Sequence, residues 1–156
     1  MAADPDWSSR PLVGSERQAY LLIMNEEITQ ADLHTATESF YSALTQVLGG
    51  NPAPMLGLWS HSDDVCYMGP MGQLLVGPDP IRASWQEQAD SDLGGTVTPT
   101  DLHFVACGAI GIVTGWERGA GHRGIPETVN IRATSTYRRE NGFIKMIGHH
   151  TDLIAI

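Results

Sequence analysis

Two adjacent histidines near the end of the chain are the residues whose type and spacing most suggest chemistry. His149 and His150 are followed two residues later by Asp152. An imidazole titrates near neutral pH, so it can accept or donate a proton at a reacting group. Histidine and aspartate are also zinc ligands, but neighbouring residues of a strand point to opposite faces, so both histidines cannot reach one ion. The sequence therefore predicts one histidine in a given cavity and no metal site.

The histidine pair lies on the second strand of a predicted hairpin. Residues 129–156 read as two strands joined by an Asn-Gly dipeptide at 141–142, which is a strong signal for a two-residue turn. Regular pairing around that turn places His149 opposite Thr134 and on the same face as Arg132, with His150 on the other face. A one-residue bulge would exchange the two histidines. Arg132 would then bind an acidic or carbonyl group of a ligand, or else form a structural pair with an internal aspartate.

Three helices precede most of the strands. A Thr-Gln-Ala-Asp sequence at 29–32 matches a capping box, and apolar residues follow at three- and four-residue steps as far as Val47. Glycines at 49 and 50 end this helix, which carries Tyr41. A second helix is predicted at 54–62. A third begins with Asp79 as its N-cap, because Pro80 follows in the first turn, and ends within 91–95.

The remaining sequence is typical of strands. Residues 65–68 form a short strand that ends at a Gly-Pro pair, and a brief apolar run follows at 74–76. Four longer segments, 98–104, 108–117, 128–139 and 143–154, make up the last part of the chain. Helices and strands are segregated along the sequence, which indicates an α+β fold. We expect a flexible N-terminal arm at 1–15 and a single domain at 16–156, of which 16–28 is compatible with a helix.

The order of these segments resembles a known superfamily. The similarity is carried by residues 58–70 (LWSHSDDVCYMGP), by the helix sequence 81–85 (IRASW) after a glycine-rich turn, and by the terminal hairpin with its Asn-Gly turn and histidine pair. Over about residues 32–156 the chain resembles the SnoaL-like branch of the nuclear transport factor 2-like superfamily. The hairpin is also similar to the association domain of calcium/calmodulin-dependent protein kinase II. This resemblance implies a cone-shaped fold in which a curved antiparallel sheet wraps around three or four helices and encloses a cavity.

The resemblance also implies roles for particular residues. In the ketosteroid isomerase branch a carboxylate base stands just before a proline, but the matching position here is Gly69, so that base is absent. An oxyanion-binding tyrosine in the first long helix corresponds roughly to Tyr41, and the position matching Arg132 points into the pocket of the kinase association domain. The expected catalytic residues are therefore His149 as acid or base, Tyr41 as donor and Arg132 as anchor. The expected substrate-binding residues are Trp59, Tyr67, Met68, Trp85, His103 and Trp116.

Each of these residues also has an ordinary structural interpretation. Aromatic residues at helix or strand spacing commonly belong to the core, and Tyr41 can simply pack against the leucines of its own helix. A lone histidine such as His103 is commonly a hydrogen-bonded core residue. Asp63 and Asp64 are expected to cap the turn between a helix and a strand. The other three histidines, at 34, 61 and 122, are expected to be exposed.

Composition excludes several classes of partner. The chain has 9 Lys and Arg against 18 Asp and Glu, a formal net charge of -9, which argues against binding to nucleic acid. No apolar run approaches the roughly 20 residues that span a bilayer, so no membrane partner is expected. The N-terminal residues do not have the pattern of a signal peptide. Cys66 and Cys107 lie in apolar strand contexts and are expected to be reduced thiols, which favours a cytoplasmic protein.

The functional expectation is an apolar cavity for a small organic molecule. The resemblance implies a cofactor-independent isomerase, dehydratase, cyclase or epoxide hydrolase, and no cofactor is expected. It also implies a homodimer formed through the outer face of the sheet. A non-catalytic module for ligand binding or assembly is the alternative, and the absence of a carboxylate at Gly69 favours that alternative.

Overall fold

The computed structural model describes residues 14–15, 17–18, 27–125 and 127–154. Most of the expected N-terminal arm and most of the helix-compatible segment 16–28 lie outside these residues. Within residues 27–154 the described helices are α1 (Gln30–Leu48), α2 (Ala53–Leu58) and α3 (Pro78–Asp90). The strands are β1 (Cys66–Met68), β2 (Leu74–Val76), β3 (Thr96–Cys107), β4 (Ile110–Ala120), β5 (Val129–Glu140) and β6 (Phe143–Leu153). None of the described helices has the length and apolar character to cross a membrane.

A single open sheet carries all six strands in the order β2-β1-β6-β5-β4-β3. Every neighbouring pair is antiparallel except β1 and β6, which run parallel. The predicted α+β class is confirmed, with helices and a curved, unclosed sheet. The expected sheet is wholly antiparallel. The observed sheet is mixed, because the short strand β1 pairs with β6 in the parallel direction.

Helix α1 begins and ends where the sequence predicts. The hydroxyl of Thr29 accepts a hydrogen bond from the backbone N–H of Asp32, and the Asp32 carboxylate accepts one from the backbone N–H of Thr29. This capping box satisfies donors that the first turn would otherwise leave free. One face of the helix is buried and packs against β3, β4 and β6. The buried residues of this face are Leu33, Thr37, Phe40, Ala43, Leu44, Val47 and Leu48.

The other two helices differ slightly from the prediction. Helix α2 ends at Leu58, because Trp59 is already extended and bridges Met146 of β6. Helix α3 starts at Pro78 after Gly77, so Asp79 lies in the first turn rather than at the N-cap. An acidic residue in the first turn still interacts favourably with the positive end of the helix dipole. Trp85, Ile81 and Ala89 are buried on one face of α3, as their four-residue spacing predicts.

The terminal hairpin has the predicted turn but an irregular ladder. Asn141 and Gly142 both have positive φ angles, 51° and 82°, as a type I′ turn requires. Pairing is regular from the turn as far as Tyr137 and Met146, after which Thr136 pairs with Gly148. Residue 147 therefore has no partner on β5, and the ladder continues with its register shifted by one.

A polar cluster on Arg138 joins this hairpin to the turn before β1. The Arg138 guanidinium donates to Asp64 Oδ2 at 2.6 Å, to Ser62 Oγ at 2.6 Å and to Glu140 Oε1 at 2.8 Å. Arg138 and Ser62 hold the pKa of the Asp64 carboxyl well below its usual range through hydrogen bonds to the charged form. Asp64 lies in the turn before β1, as expected, and also joins this turn to the sheet through Arg138.

Candidate functional site

A cavity of about 430 Å³ lies between α1, α3 and the inner face of the sheet. Its wall is mainly apolar, with Leu44 and Leu48 from α1 and Trp85 from α3 facing Ile131 of β5. Apolar walls with a few polar groups are typical of sites for small organic molecules. The polar and titratable side chains on this wall are Tyr67, Gln73, Gln88, Glu117, His122, His149 and Thr151.

Glu117 supplies a buried carboxyl group to this cavity. It lies on β4 with only 3% of its surface exposed, and the hydroxyl of Tyr41 donates a hydrogen bond of 3.0 Å to its Oε1 atom. Burial raises the pKa of Glu117 from 4.5 to about 7, and the hydrogen bond from Tyr41 opposes part of that rise. A carboxyl with such a pKa is present in both protonation states near neutral pH, which general acid–base chemistry requires.

His149 faces the same carboxyl. Its Nε2 atom lies 3.9 Å from Glu117 Oε1, which is too long for a hydrogen bond, and its Nδ1 atom lies 3.0 Å from Ser135 Oγ. Burial is the main cause that lowers the pKa of His149 to about 3, and the nearby His150 is the second cause. His149 is therefore a neutral imidazole at physiological pH, with one nitrogen held by Ser135 and the other directed to Glu117.

Rings surround the imidazole and fix its plane. Phe40 lies with its centroid 4.7 Å away on the side of α1, and Tyr67 stacks at 6.0 Å with an interplanar angle of 14°. Tyr67 in turn stacks on Trp85 at 4.9 Å. Packing against two rings restricts the orientation of the imidazole, as a preorganised site requires.

The register shift in the hairpin decides which histidine is buried. His149 pairs with Ser135 and shares its inner face, whereas His150 pairs with Thr134 on the outer face. The expected pairing of His149 with Thr134 is wrong, because the unpaired residue 147 moves the ladder by one position. The expectation that the inner face of β5 carries Arg132 is also wrong. These two departures offset one another, so His149 still lies in the cavity.

Arg132 is a predicted catalytic residue that lies outside the cavity. It pairs with Asp152 across the strands, and its guanidinium lies 3.2 Å from the Asp152 carboxylate. Both side chains are largely exposed on the outer face. Arg132 therefore does not contact the cavity, and the alternative of a structural Arg–Asp pair describes it.

The predicted aromatic wall is divided between the two faces of the sheet. Tyr67 and Trp85 line the cavity, and Trp59 is buried beside them with its ring centroid 6.2 Å from that of Tyr67. Met68 follows Tyr67 on β1 and takes the opposite face. His103 and Trp116 are exposed, Trp116 to 39%. The even-numbered positions of β4 face outward, which places Trp116 there, and His103 of β3 pairs with Thr114, another of those positions.

Tyr41, the predicted donor, does not line the cavity itself but is hydrogen-bonded to Glu117, which does. Its hydroxyl is hydrogen-bonded to Glu117, and burial raises its pKa far above the usual range. Tyr41 is therefore a neutral donor that positions the carboxyl group rather than a residue of the cavity wall.

Two functional candidates were missed at the level of sequence. The sequence pattern favours Trp116, but the neighbouring Glu117 is the residue that faces the cavity. The odd-numbered positions of β4 are otherwise occupied by valine and glycine, and a single carboxylate among such residues is a signal of a buried polar site. His122 was expected to be exposed but is only 9% exposed and lines the cavity. The β4–β5 loop gave no periodic pattern from which its burial could be predicted.

The missing carboxylate at position 69 has a structural explanation. A Cβ atom built on Gly69 would lie 2.9 Å from the hydroxyl oxygen of Tyr67, so the tyrosine occupies the space of a side chain there. Glu117 brings a carboxyl group to the cavity from β4 instead. Among the residues that the structure describes, no three His, Cys, Asp or Glu side chains are grouped so that they could hold a metal ion.

The comparisons with known proteins agree with this architecture. A sequence model described as "SnoaL-like domain" matches residues 34–155. A proposed dehydratase of the NTF2-like family from Streptomyces avermitilis superposes with a TM-score of 0.70 at 21% identity, over 81% of this chain and 96% of that one. No curated protein matches the sequence.

Two further structures show the same fold with different descriptions. A proposed calcium/calmodulin-dependent protein kinase type II association domain from Thiobacillus denitrificans has a TM-score of 0.67 at 23% identity, over 78% of this chain and 94% of that one. An NTF2-like protein of unknown function from Pseudomonas putida has a TM-score of 0.66 at 16% identity, over 79% and 84%. At such identities the likeness concerns the fold alone.

Proposed function

The chain belongs to the family of proteins with a SnoaL-like domain, and on that premise we propose that its cavity catalyses a cofactor-independent proton transfer on a neutral, apolar organic molecule. The observation that carries this proposal is the placement of Glu117. It is a buried carboxyl with a pKa of about 7 on an apolar cavity wall, positioned by Tyr41 and facing neutral His149. Pairs of groups whose pKa values are driven apart by their surroundings are characteristic of acid–base sites.

Glu117 acts as the base in this proposal. Its carboxylate removes a proton from a carbon next to a carbonyl group, and the electron pair of that C–H bond forms a carbon–carbon double bond. When a hydroxyl stands on the next carbon, its C–O bond breaks and the proton leaves with it as water, which is a dehydration. When the proton returns to a different carbon, the reaction is an isomerisation. Neither route needs an oxidant or a cofactor.

His149 stabilises the oxygen on which negative charge develops. We propose the tautomer in which the Ser135 hydroxyl donates to Nδ1, so that the imidazole hydrogen is on Nε2, the atom that faces Glu117. A neutral imidazole with its hydrogen on Nε2 can donate to a carbonyl oxygen while the carbon beside it is close to the base. The separation of 3.9 Å between Nε2 and Glu117 Oε1 fits two groups that act on neighbouring atoms of one molecule.

The test is exchange of deuterium from solvent. Cyclohexanone and 2-tetralone are incubated with the protein in D₂O, and loss of the hydrogens next to the carbonyl is followed by NMR. We expect the wild type to accelerate exchange and Glu117→Gln to reduce the acceleration by about 10²- to 10⁴-fold. Glu38→Gln, an exposed glutamate on α1, is the matched control and should keep the wild-type rate.

Two outcomes would count against catalysis. If Glu117→Gln exchanges as fast as the wild type, Glu117 is not the base. If the ketones bind in the cavity without any accelerated exchange, the non-catalytic ligand-binding module becomes the better description. The apolar wall supports binding in either case, so the exchange rate rather than affinity discriminates the two functions.

We also propose that the protein forms a homodimer through the outer face of the sheet. That face exposes Val105, Ile112 and Trp116, three large apolar side chains on the adjacent strands β3 and β4. Val105 and Ile112 are partners across the two strands, and exposed apolar side chains on one sheet face support an interface between proteins. Sedimentation equilibrium should give a dimer for the wild type and a monomer for Ile112→Arg. A wild-type monomer at the same concentration would contradict this part of the proposal.

A further inference from the structure

His122 lies on the inner face of the sheet although it belongs to the loop after β4. A Cβ atom built on Gly119 would lie 2.6 Å from His122 Nε2, so the imidazole occupies the space of the missing residue-119 side chain. Gly119 pairs with Val97 on one side and with Val129 on the other, and both valines line the cavity. His122 Nε2 therefore lies on the cavity wall beside Gly119, which is two positions along β4 from Glu117.

The hydrogen on the imidazole of His122 can be assigned. Its Nδ1 atom lies 2.8 Å from the carbonyl oxygen of Gly94, and a carbonyl oxygen can only accept. Nδ1 must carry the hydrogen, so the neutral ring has a lone pair on Nε2. This atom is an acceptor, and a ligand that satisfies it must bring a hydroxyl or an N–H group.

The ring is held in that place by the backbone. A Cβ atom on Gly95 would lie 2.7 Å from His122 Nδ1, so glycines at 95 and 119 together form the slot that receives the imidazole. The loop is fastened next to it, because the Arg123 backbone N–H donates to the Leu93 carbonyl at 2.7 Å and its guanidinium pairs with Asp92 at 3.0 Å. A fixed acceptor of known tautomer is suited to selecting one ligand group.

We infer that His122 Nε2 is a specificity-determining acceptor that binds a hydroxyl or N–H group of the substrate, at the end of the cavity away from the reacting carbonyl. Two strand positions span about 6.6 Å, so the substrate is a neutral, largely apolar molecule with a second polar group at about that distance from its reacting carbon. The inference rests on the proposed function, since it places that reacting carbon at Glu117. No lysine or arginine of the described chain lines the cavity, which agrees with an uncharged substrate.

Two substitutions separate this role from a purely structural one. In His122→Asn the side-chain amide can replace Nδ1 as donor to Gly94, but nothing replaces Nε2. In His122→Gln the longer amide can place an oxygen near the former Nε2, but the hydrogen bond to Gly94 is lost. A structural histidine predicts that Asn is tolerated and Gln is harmful. A ligand-binding histidine predicts that Asn loses selectivity and Gln keeps it.

The probes are 4-(2-hydroxyethyl)cyclohexanone and 4-propylcyclohexanone, which have nearly the same shape and differ by one hydroxyl. Their dissociation constants are measured by the change in intrinsic tryptophan fluorescence, to which Trp85 on the cavity wall contributes. We expect the preference for the hydroxyl compound to fall by about two- to tenfold in His122→Asn and to be retained in His122→Gln. An unchanged preference in His122→Asn overturns the inference, as does failure of both probes to bind the wild type.

Folding of the variants is checked by thermal unfolding. If His122→Asn does not fold, His122→Ala takes its place: an unchanged hydroxyl preference in that variant overturns the inference, and a reduced preference supports it. The result is independent of deuterium exchange: failure of the proposed function appears as exchange that survives Glu117→Gln, whereas failure of this inference appears as unaltered selectivity.

Discussion

The hydroxyl of Tyr41 on the first helix donates a 3.0 Å hydrogen bond to Glu117 Oε1 on the fourth strand, and both side chains are largely removed from water. The phenol cannot ionise near neutral pH, because burial and the nearby carboxyl raise its pKa far above the usual range. The tyrosine is thus a permanent donor, while Glu117 can change its protonation state. This asymmetry makes the carboxyl the titrating member of the pair.

Removing the Tyr41 hydroxyl should raise the pKa of Glu117. The hydrogen bond from Tyr41 lowers that pKa against the effect of burial, so Tyr41→Phe leaves the carboxylate less stabilised. The pKa should move above about 7, and the rising limb of the exchange rate should move to higher pH with it. Carboxyl ¹³C NMR titration measures the shift. Tyr137→Phe, which removes a buried hydroxyl that is not bonded to Glu117, serves as control, and an equal shift there would contradict the assignment.

Glu117 should make folding less favourable at high pH. The folded protein binds the proton of Glu117 more tightly than the unfolded chain, so its contribution to stability is complete below pH 4.5 and is lost as pH rises through about 7. Glu117→Gln does not titrate. Relative to the wild type, this variant should gain about 3 kcal/mol in free energy of unfolding between pH 4.5 and pH 8. Urea denaturation at several pH values measures the difference, and a difference that is constant with pH would refute the raised pKa.

His149 should have the opposite effect on the acid side. Burial lowers its pKa from 6.5 to about 3, so the unfolded chain binds the proton more tightly than the folded protein between these values. The contribution of the neutral histidine is present above pH 6.5 and is lost as pH falls toward 3. His149→Gln should therefore lose less stability than the wild type on acidification from pH 6.5 to 4, measured by the same urea denaturation. Parallel curves for the two proteins would exclude a buried neutral imidazole.

The exchange reaction should depend on His149 and not on Arg132. His149→Gln removes the ring that faces Glu117, and we expect exchange to slow by about 10²-fold or more. Arg132→Ala removes a guanidinium on the outer face, where its pair with Asp152 is exposed, so exchange should stay within about twofold and stability within about 1 kcal/mol. A large loss of exchange in Arg132→Ala would show that the outer face takes part in the reaction.

Two glycine substitutions should change stability in opposite directions. A Cβ atom on Gly111 of β4 would overlap Leu33 Cδ2, and Leu33 is completely buried, so Gly111→Ala should cost about 1–3 kcal/mol through overpacking. A Cβ atom on Gly57 in α2 would meet nothing within 4 Å, so Gly57→Ala should stabilise by about 0.5–1 kcal/mol. Thermal unfolding measures both. A neutral Gly111→Ala would mean that α1 moves away from the sheet at little cost.

Much of the fold could be predicted because its signals are local. The capping box of Thr29 and Asp32, the glycines after Leu48 and the Asn-Gly turn each depend on a few neighbouring residues, and all three are found. The parallel pairing of β1 with β6 could not be predicted in this way. It joins residues about eighty positions apart, and a three-residue strand has no pattern that names its partner.

The site was harder to predict because it depends on faces and registers. His149 was assigned to the cavity through two assumptions about β5 and β6 that were both wrong and that offset each other. Glu117 was missed because a single carboxylate in a strand is ordinarily exposed, and only the tertiary structure shows that Tyr41 lies opposite it. The placement of His122 depends on the absence of side chains at Gly95 and Gly119, and nothing in a sequence indicates which ring will fill such a slot.

The unpaired residue in the terminal hairpin has a consequence for how the strand accommodates a change in length. Ile147 has no partner on β5, so the ladder has one register near the turn and another, shifted by one residue, where His149 pairs with Ser135. Removal of Ile147 would restore a regular ladder and still leave His149 opposite Ser135. The position of the buried imidazole is therefore set by its pairing with Ser135 and does not depend on whether residue 147 is present, so a change in the length of this strand leaves the polar wall of the cavity in place.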